Sequence, residues 1–281
     1  MKATINFYLT WNCNFSCAHC VHECGPSGNH MTMEQLNYGI KFIHWLYQHH
    51  VPVCVLGTTG GEATLHPKFW TDYMPQLEGL KSRLDATIPF ELHTNASTPI
   101  GDEERMKYHK FFSTIFVGHD MCHRQFASLD KLNLQHYTDI GNLVHLRQND
   151  YIIGGLHHTI YIRTKGRAAE SLKNGRLFQL PVKEHPKPGC SWYDGKGADN
   201  TLNFVFTPDH INHCGEKSHP LPPLTNGQGT IDEGQFHPYD MDFDKLFHAA
   251  LDYGVKYSGP HCSQKCMVTF CSTSPVPFTI K

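Results

Sequence analysis

The sequence lacks the features that would place it in a membrane, outside the cell or on nucleic acid. No apolar run approaches the roughly 18 residues that a membrane-spanning helix needs. The first residues alternate apolar and polar types and contain no continuous apolar stretch of the signal-peptide kind. Charged residues make up only 18% of the chain and the formal net charge is −2, so there is no bulk attraction to nucleic acid or to an anionic membrane. We therefore expect a cytoplasmic protein.

Cysteine, by contrast, is abundant. The 281 residues include 11 cysteines, most of them near the two ends of the chain. This distribution differs from the disulfide framework of a small secreted domain and favours metal binding in a reducing compartment. Because 40% of the residues are hydrophobic, the chain can bury a sizeable core, and we expect one large domain with a smaller appendage.

Strand and helix patterns alternate through the first two thirds of the chain. This alternation predicts parallel βαβ units, as in part of an α/β barrel. The predicted strands cover residues 5–9, 51–56, 89–93, 112–117 and 158–162. Beyond Leu180 the chain is rich in Pro, Gly, His and Asn, with one strand at residues 202–206 and a late helix starting near Phe243. We therefore predict two domains, residues 1–181 and 182–281.

The first cysteine group is a C-x3-C-x2-C array of Cys13, Cys17 and Cys20. Thiolates hold iron–sulfur clusters, and three of them leave one iron of a [4Fe–4S] cluster open. A structural zinc site would need a fourth ligand nearby. His22 and Cys24 are candidates for that ligand, so zinc stays open as an alternative at this stage.

The spacing of this triplet resembles the signature of the radical S-adenosylmethionine (SAM) superfamily, which has a ring-bearing residue before the last cysteine, here His19. The resemblance covers approximately residues 1–170 and implies a partial (β/α)6 TIM-like barrel. It also implies a [4Fe–4S] cluster whose open iron chelates the amino and carboxylate groups of SAM. Reductive cleavage of SAM would give a deoxyadenosyl radical that abstracts hydrogen from a substrate.

Further motifs of this superfamily fall at predicted strand ends, where α/β barrels place their active sites. Residues 60–63, Gly-Gly-Glu-Ala, resemble its GGEP motif with alanine in place of proline, and Thr94-Asn95 resembles its T-N-G. Residues 165–168, Lys-Gly-Arg-Ala, resemble a G-R-A turn seen in cluster-bearing members. The resemblance thus implies cofactor-binding roles for His19, Gly60, Gly61, Glu62, Asn95 and Arg167. Ordinary turns, and a structural ion pair for Arg167, are the alternatives.

A second cysteine group lies beyond the predicted barrel and consists of Cys190, Cys214, Cys262, Cys266 and Cys271. The segment 207–214 resembles the P-D-G…C part of SPASM and twitch extensions, which carry auxiliary iron–sulfur clusters, although His210 stands where glycine is usual. This resemblance implies a small C-terminal cluster extension with one auxiliary [4Fe–4S] cluster. We favour the first four cysteines as its ligands, with Cys271 competing, and a structural zinc site is the alternative.

Cys122 lies just past a predicted strand end, two residues after Asp120. Its thiol is a candidate catalytic hydrogen donor to a substrate radical, and the alternative is a core cysteine beside a plain turn.

Together these features predict an enzyme that begins with hydrogen abstraction. Peptide or protein modification is the first expectation, by analogy with cluster-extended relatives, and a small-molecule dehydrogenase or epimerase acting on a sugar or nucleotide is the alternative. A reductant such as flavodoxin or ferredoxin would supply the electron. The competing class is a non-catalytic binding module with zinc in both cysteine groups, which predicts a colourless, air-stable protein that does not bind SAM.

Overall fold

A computed structural model describes residues 1–20, 22–84, 87–147, 150–153, 157–163, 166–174, 178–179, 201–213, 237–257 and 267–272. The strands of these ranges form one sheet of seven strands and one of four. None of the helices in the described ranges is both long enough and apolar enough to span a membrane.

The strands and helices alternate in the first half of the chain. In chain order the strands are β1 (Lys2–Tyr8), β2 (Val53–Thr59), β3 (Phe90–Thr94), β4 (Phe112–Gly118), β5 (Gly141–Arg147), β6 (Asp150–Ile153), β7 (His157–Arg163), β8 (Phe178–Gln179), β9 (Thr201–Phe206), β10 (Ile211–Asn212) and β11 (Met267–Ser272). The helices are α1 (Met33–Gln48), α2 (Met74–Lys81), α3 (Asp102–Lys107), α4 (Met121–Arg124), α5 (Leu134–Ile140), α6 (Gly166–Lys173) and α7 (Phe243–Tyr257).

The larger sheet is mostly parallel and has the order β10-β9-β1-β2-β3-β4-β5. Each strand from β1 to β5 pairs in parallel with the next, and β9 pairs in parallel with the free edge of β1. Only β10 is antiparallel to its neighbour. The α/β class is therefore confirmed. The sheet formed by the described strands is open, however, and does not close into a barrel.

The first crossover helix, α1, begins at a capping box that the sequence pattern predicts. The Thr32 hydroxyl accepts from Gln35 N at 3.2 Å, and the Gln35 side chain accepts from Thr32 N at 2.7 Å. These two bonds satisfy backbone donors that the first turn leaves without helical partners. The apolar face of α1, which includes Leu36 and Ile43, is fully buried against the sheet.

One face of the larger sheet and its helices form the main core. Ile5, Phe7, Leu92 and Ile115 are fully buried on that face. Burying a side chain of this size stabilises a fold by roughly 1.5–3 kcal/mol. Late helix α7 adds Leu246 to the same core, so the C-terminal part of the chain helps to stabilise the sheet that the N-terminal part begins.

The fifth predicted strand, residues 158–162, does not belong to the parallel sheet. Its place is taken by β5, and β7 instead lies in the four-stranded antiparallel sheet β6-β7-β11-β8. Helix α5 ends at Ile140 and β5 begins at Gly141, which is also the C-cap residue of the helix. The apolar residues Leu143 and Val144 of β5 are adjacent and do not alternate with polar residues, so the period-two pattern of a strand is missing here.

The predicted domain boundary near residue 182 stays a prediction, because residues 180–200 lie outside the described ranges. Segments on both sides of it share the larger sheet, since β9 pairs with β1.

Candidate functional site

The loops that follow β1, β2, β3 and β4 meet at one edge of the larger sheet. This follows from the parallel pairing of the four strands, whose carboxyl ends lie side by side. The structure therefore brings together the cysteine triplet, the Gly60-Gly61-Glu62 turn, Thr94-Asn95 and His119-Asp120. Open α/β sheets bind ligands at this kind of edge.

The loop after β1, residues 11–29 and here named the cysteine loop, is closed at its base by backbone hydrogen bonds. Trp11 N donates to Asn29 O at 2.8 Å, and Gly25 N donates to Trp11 O at 3.2 Å. Cys13 N donates to Gly25 O at 2.9 Å. These hydrogen bonds fix the two ends of the loop that carries the cysteines.

The cysteines of the loop are sheltered from water. Cys13, Cys17 and Cys24 are 7%, 6% and 4% exposed, and Cys20 is half-buried. All four are free thiols that pack in one cluster with Phe15. A buried group of free thiols on a closed loop is a suitable frame for a metal or an iron–sulfur cluster.

The environment of these thiols opposes their ionisation, with one exception. Burial raises the pKa of Cys13 to about 12 and holds the pKa of Cys17 well above its usual value. The pKa of Cys20 is lowered to about 5, because the Cys24 thiol donates a hydrogen bond to it and backbone N–H groups and the Arg167 charge add to this effect. The pKa of Cys24 rises as its proton is held by Cys20. A bound cation would be needed to stabilise the other thiolates.

The glycine turn after β2 lies directly against the cysteine loop. Gly61 N donates to Thr10 O at 2.7 Å, and Glu62 N donates to Asn12 O at 2.8 Å. A Cβ atom on Gly61 would lie 2.2 Å from Asn12 O, and one on Gly60 would lie 2.3 Å from Thr10 O. Gly60 also has a φ of +140°, which side chains rarely adopt. Both glycines are thus required by close backbone approach.

Replacing Gly61 by alanine is expected to lower the free energy of unfolding by about 2 kcal/mol, because the clash is with backbone and cannot be relieved by a rotamer change. The matched control is Gly79→Ala in α2, where the nearest atom to the new Cβ is Arg83 Nη2 at 4.0 Å. Denaturant titration measures both variants. Equal stability of Gly61→Ala and the wild type would contradict this packing.

Glu62 is fully buried at the end of the glycine turn. Its Oε1 accepts from the Thr64 and Thr94 hydroxyls at 2.7 and 2.8 Å, and its Oε2 accepts from Asn95 N at 2.6 Å. Burial raises the pKa of this carboxyl, and the hydrogen bonds oppose the shift. Within the described residues Oε2 accepts this single bond, so a ligand cation placed there would stabilise the carboxylate.

Asn95 connects the glycine turn to the cysteine loop. Its Nδ2 donates to Asn14 Oδ1 at 2.9 Å and lies 3.9 Å from Cys13 Sγ. Its Oδ1 accepts from the Ser97 hydroxyl at 2.6 Å. Glu62, Asn95 and Cys13, which the sequence places far apart, therefore belong to one hydrogen-bonded network.

The side chain of Arg167, at the start of α6, contacts backbone carbonyl groups of the cysteine loop. Its Nη1 donates to Cys17 O at 3.1 Å, and its Nη2 donates to Cys24 O at 2.6 Å. The guanidinium thus holds two carbonyl groups of the loop and places positive charge beside the thiols. Lys165 lies outside the described residues.

His19 is held by a buried carboxylate at the end of β4. His19 Nε2 lies 3.3 Å from Asp120 Oδ2, and Asp120 Oδ1 accepts from His123 Nδ1 at 2.9 Å and from Cys122 N at 3.0 Å. Burial alone would raise the pKa of Asp120, but the two histidines outweigh it and hold that pKa well below its usual range. Burial likewise opposes protonation of His19, yet Asp120 and Cys122 raise its pKa.

The ligand atoms of His19, Asp120 and His123 lie within 4.8 Å of one another. The hydrogen bonds and the opposite charges of these residues account for this proximity, so we interpret the group as an anchor for the middle of the cysteine loop. Cys122 is 1% exposed and packs with Phe15 in the hydrophobic cluster that contains the loop cysteines.

Asp209 is a site residue whose contacts the sequence does not reveal. It lies in the turn between β9 and β10, and its Oδ2 accepts from Trp11 Nε1 at 2.8 Å while its Oδ1 accepts from Asn29 Nδ2 at 3.2 Å. One carboxylate thus holds both ends of the cysteine loop. The only signal was its place in the segment 207–214, which carries no information about the loop that it contacts.

Removing the Asp209 carboxylate is expected to destabilise this loop. Asp209→Ala leaves the buried Trp11 indole N–H without its acceptor, and we expect a loss of about 2 kcal/mol in the free energy of unfolding. Asp209→Asn keeps an acceptor oxygen and should lose less. The exposed Asp240 provides the control variant Asp240→Ala. Denaturant titration would contradict the account if Asp209→Ala matched this control.

The structure describes no side chain of the second cysteine group. Cys190, Cys214, Cys262 and Cys266 lie outside the described residues, and at Cys271 only the backbone of β11 is described. The auxiliary cluster and its ligands therefore stay a prediction.

No protein-family model matches the chain, and no curated protein matches it. Among solved structures, the chain is similar to BtrN in complex with AdoMet and 2-DOIA, with 13% identity, a TM-score of 0.49 and coverage of 99% of this chain and 97% of that one. It is also similar to anSMEcpe with bound AdoMet and Cp18Cys peptide, with 16% identity, a TM-score of 0.33 and coverage of 43% and 32%. Likeness of this degree assigns no function to the chain.

Proposed function

We propose that the chain is a radical SAM enzyme whose [4Fe–4S] cluster is held by Cys13, Cys17 and Cys20. The observation that carries this proposal is the arrangement at the sheet edge. The thiols of Cys13 and Cys17, which are buried, and of Cys20, which is half-buried, lie on a closed loop beside a glycine turn and a buried carboxylate, at the carboxyl ends of parallel strands. When bound, the cluster would supply one electron and an open iron for the amino and carboxylate groups of SAM.

The spacing of the thiols supports an iron–sulfur cluster over zinc. Two thiolates on a tetrahedral zinc with bonds of about 2.3 Å lie about 3.8 Å apart. Among the described residues, no three cysteine sulfurs lie within 4.8 Å of one another. Cys24, the candidate fourth zinc ligand, is a hydrogen-bond partner of Cys20. We place it beside the cluster because three thiolates leave one iron open for SAM and a fourth would close it.

The residues around the thiols have separate roles in this proposal. Gly60 and Gly61 let the turn lie directly against the cysteine loop, beside the SAM main chain, and Glu62 Oε2 accepts a hydrogen bond from the SAM ammonium group. Asn95 and Arg167 donate hydrogen bonds to the cysteine loop and fix its position beside that turn. His19, fixed by Asp120, contacts the bound cofactor. Cys122 is a hydrogen donor to the substrate radical once ligand binding opens its packed surroundings.

The remaining assignments rest on the sequence. A small C-terminal extension with one auxiliary [4Fe–4S] cluster, peptide or protein modification as the reaction, and flavodoxin or ferredoxin as the reductant are part of this proposal. Oxidation or epimerisation of a small molecule such as a sugar or nucleotide is the alternative reaction. No contact among the described residues favours one reaction over the other.

The proposal is tested by assaying SAM cleavage. The protein is reconstituted anaerobically with iron and sulfide, reduced with dithionite and incubated with SAM. We expect 5′-deoxyadenosine and methionine in equal amounts, even without substrate. Failure of a reconstituted, reduced protein to form either product, together with tight zinc binding, would support the non-catalytic binding module instead.

A further inference from the structure

The two faces of the parallel sheet differ in chemistry. One face packs on helices, and the other carries polar side chains near the strand ends. The register aligns His93 of β3 with Phe116 of β4 and Phe116 with His145 of β5, and two residues farther along Gly118 of β4 pairs with Arg147 of β5. Because side chains of a strand alternate between faces, these residues share the polar face.

Arg147 is held in one orientation on this face. The centre of its guanidinium lies 3.9 Å from the centroid of the Phe116 ring, and Nη1 lies 3.3 Å from His93 Nδ1. Since the guanidinium can only donate, His93 Nδ1 is the acceptor and its proton lies on Nε2, which is 3.8 Å from Glu91 Oε2. The neutral His93 ring thus separates the guanidinium from the Glu91 carboxylate.

The charge of Arg147 lacks a direct counter-ion in the part of the chain that the structure describes. Its described partners are a neutral imidazole and an aromatic ring, and Glu91 contacts the imidazole instead. Arg147 is half-buried, and burial lowers its pKa. The Glu91 charge acts on the guanidinium only through space, and a partly desolvated cation without a contacting anion is unfavourable. Within the described residues the guanidinium donates one hydrogen bond, to His93, which leaves N–H donors for a planar oxyanion.

Arg147 also lies next to the candidate site. It is the last residue of β5, and its carbonyl oxygen accepts from His119 N at 3.1 Å. Asp120, which follows His119 in the chain, holds His19 in the cysteine loop. A group bound to Arg147 would therefore lie beside the proposed SAM site.

We propose that Arg147 is a substrate-binding residue and that the substrate carries an oxyanion, either a carboxylate or a phosphate, which accepts hydrogen bonds from this guanidinium. Phe116 and His93 set the plane in which the oxyanion is bound. This inference rests on the proposed radical SAM function, because it takes the neighbouring site to be occupied by SAM. The carboxylate of SAM itself is the competing occupant, and the experiment has to separate the two.

The test is isothermal titration calorimetry on anaerobically reconstituted protein at constant ionic strength. Inorganic phosphate and glutarate are the two probes, each titrated with and without SAM, and SAM is titrated alone. We expect wild type to bind one of the probes and Arg147→Gln to bind it roughly tenfold more weakly or worse. Arg147→Lys should retain part of the affinity, because it keeps the charge but loses the planar donor pair. The control is Arg105→Gln, since Arg105 pairs with Asp102 and Asp139 on the protein itself.

The preferred probe assigns the oxyanion as phosphate or carboxylate. The inference is overturned if wild type binds neither probe, if Arg147→Gln binds like the control, or if Arg147→Gln weakens SAM while probe binding is unchanged. Probe binding without SAM does not need the cluster. If the protein binds the anion through Arg147 but does not cleave SAM, the proposed function has failed and this inference has not.

Discussion

Replacing Cys17 by alanine is expected to remove the N-terminal cluster and abolish SAM cleavage. Cys17 is 6% exposed within the loop that Trp11 and Asn29 close, and no other described thiol can replace it without moving that frame. We expect the reconstituted variant to contain about four fewer irons per chain than wild type. Product formation should fall to background.

Two further variants separate ligation from other cysteine roles. Cys54→Ala is the matched control, because Cys54 lies in β2 and its thiol donates to Ala3 O at 3.3 Å, away from the loop. Cys24→Ala should keep the cluster, because Cys24 acts as a hydrogen-bond donor to Cys20. Loss of the cluster in Cys24→Ala with retention in Cys17→Ala would mean that the ligand assignment is wrong.

Replacing Glu62 by alanine is expected to cause the largest loss of stability among single changes at the site. Its carboxylate accepts from Asn95 N and from the Thr64 and Thr94 hydroxyls in a fully buried position. Deleting it leaves buried donors without an acceptor, and we expect the free energy of unfolding to fall by about 3 kcal/mol. Denaturant titration of the protein without SAM gives this value.

Glu62→Gln is the matched variant that separates stability from cofactor binding. The amide oxygen can accept from Asn95 N, and the two threonine hydroxyls can rotate to accept from the amide nitrogen, so the stability loss should be about 1 kcal/mol. The lost charge should still weaken SAM binding roughly tenfold, because a charged acceptor binds an ammonium group more strongly. Unchanged SAM affinity in Glu62→Gln would contradict the role of Glu62 in the proposal.

The part of the site that local sequence patterns predict is the part made of short, contiguous motifs. The cysteine triplet, the glycine turn and Thr94-Asn95 each follow a strand, and parallel pairing of those strands brings them to one edge. Once the strands are recognised, the fold class therefore predicts where these motifs lie. The contacts between the motifs, such as the hydrogen bond from Asn95 Nδ2 to Asn14 Oδ1, depend on the distance between the two loops and have no sequence signature.

Other features depend on long-range packing that no single-sequence pattern contains. Asp209 contacts Trp11 across 198 positions of the chain, and its carboxylate is one of many acidic groups in turns. Arg147 is a lone arginine at the end of a strand that the pattern misses, because the apolar residues of β5 do not alternate with polar ones. The antiparallel pairing of β7 with β6 and β11 likewise follows from distant segments and not from its own residues.

The most direct test of the central claim is iron and sulfide analysis of the anaerobically reconstituted protein, with electron paramagnetic resonance spectra of the reduced protein with and without SAM. We predict about four irons per chain from the N-terminal cluster, about eight if the auxiliary cluster is present, and a spectrum that SAM changes. A colourless protein that binds zinc through the cysteine loop and gives no signal sensitive to SAM would contradict the account.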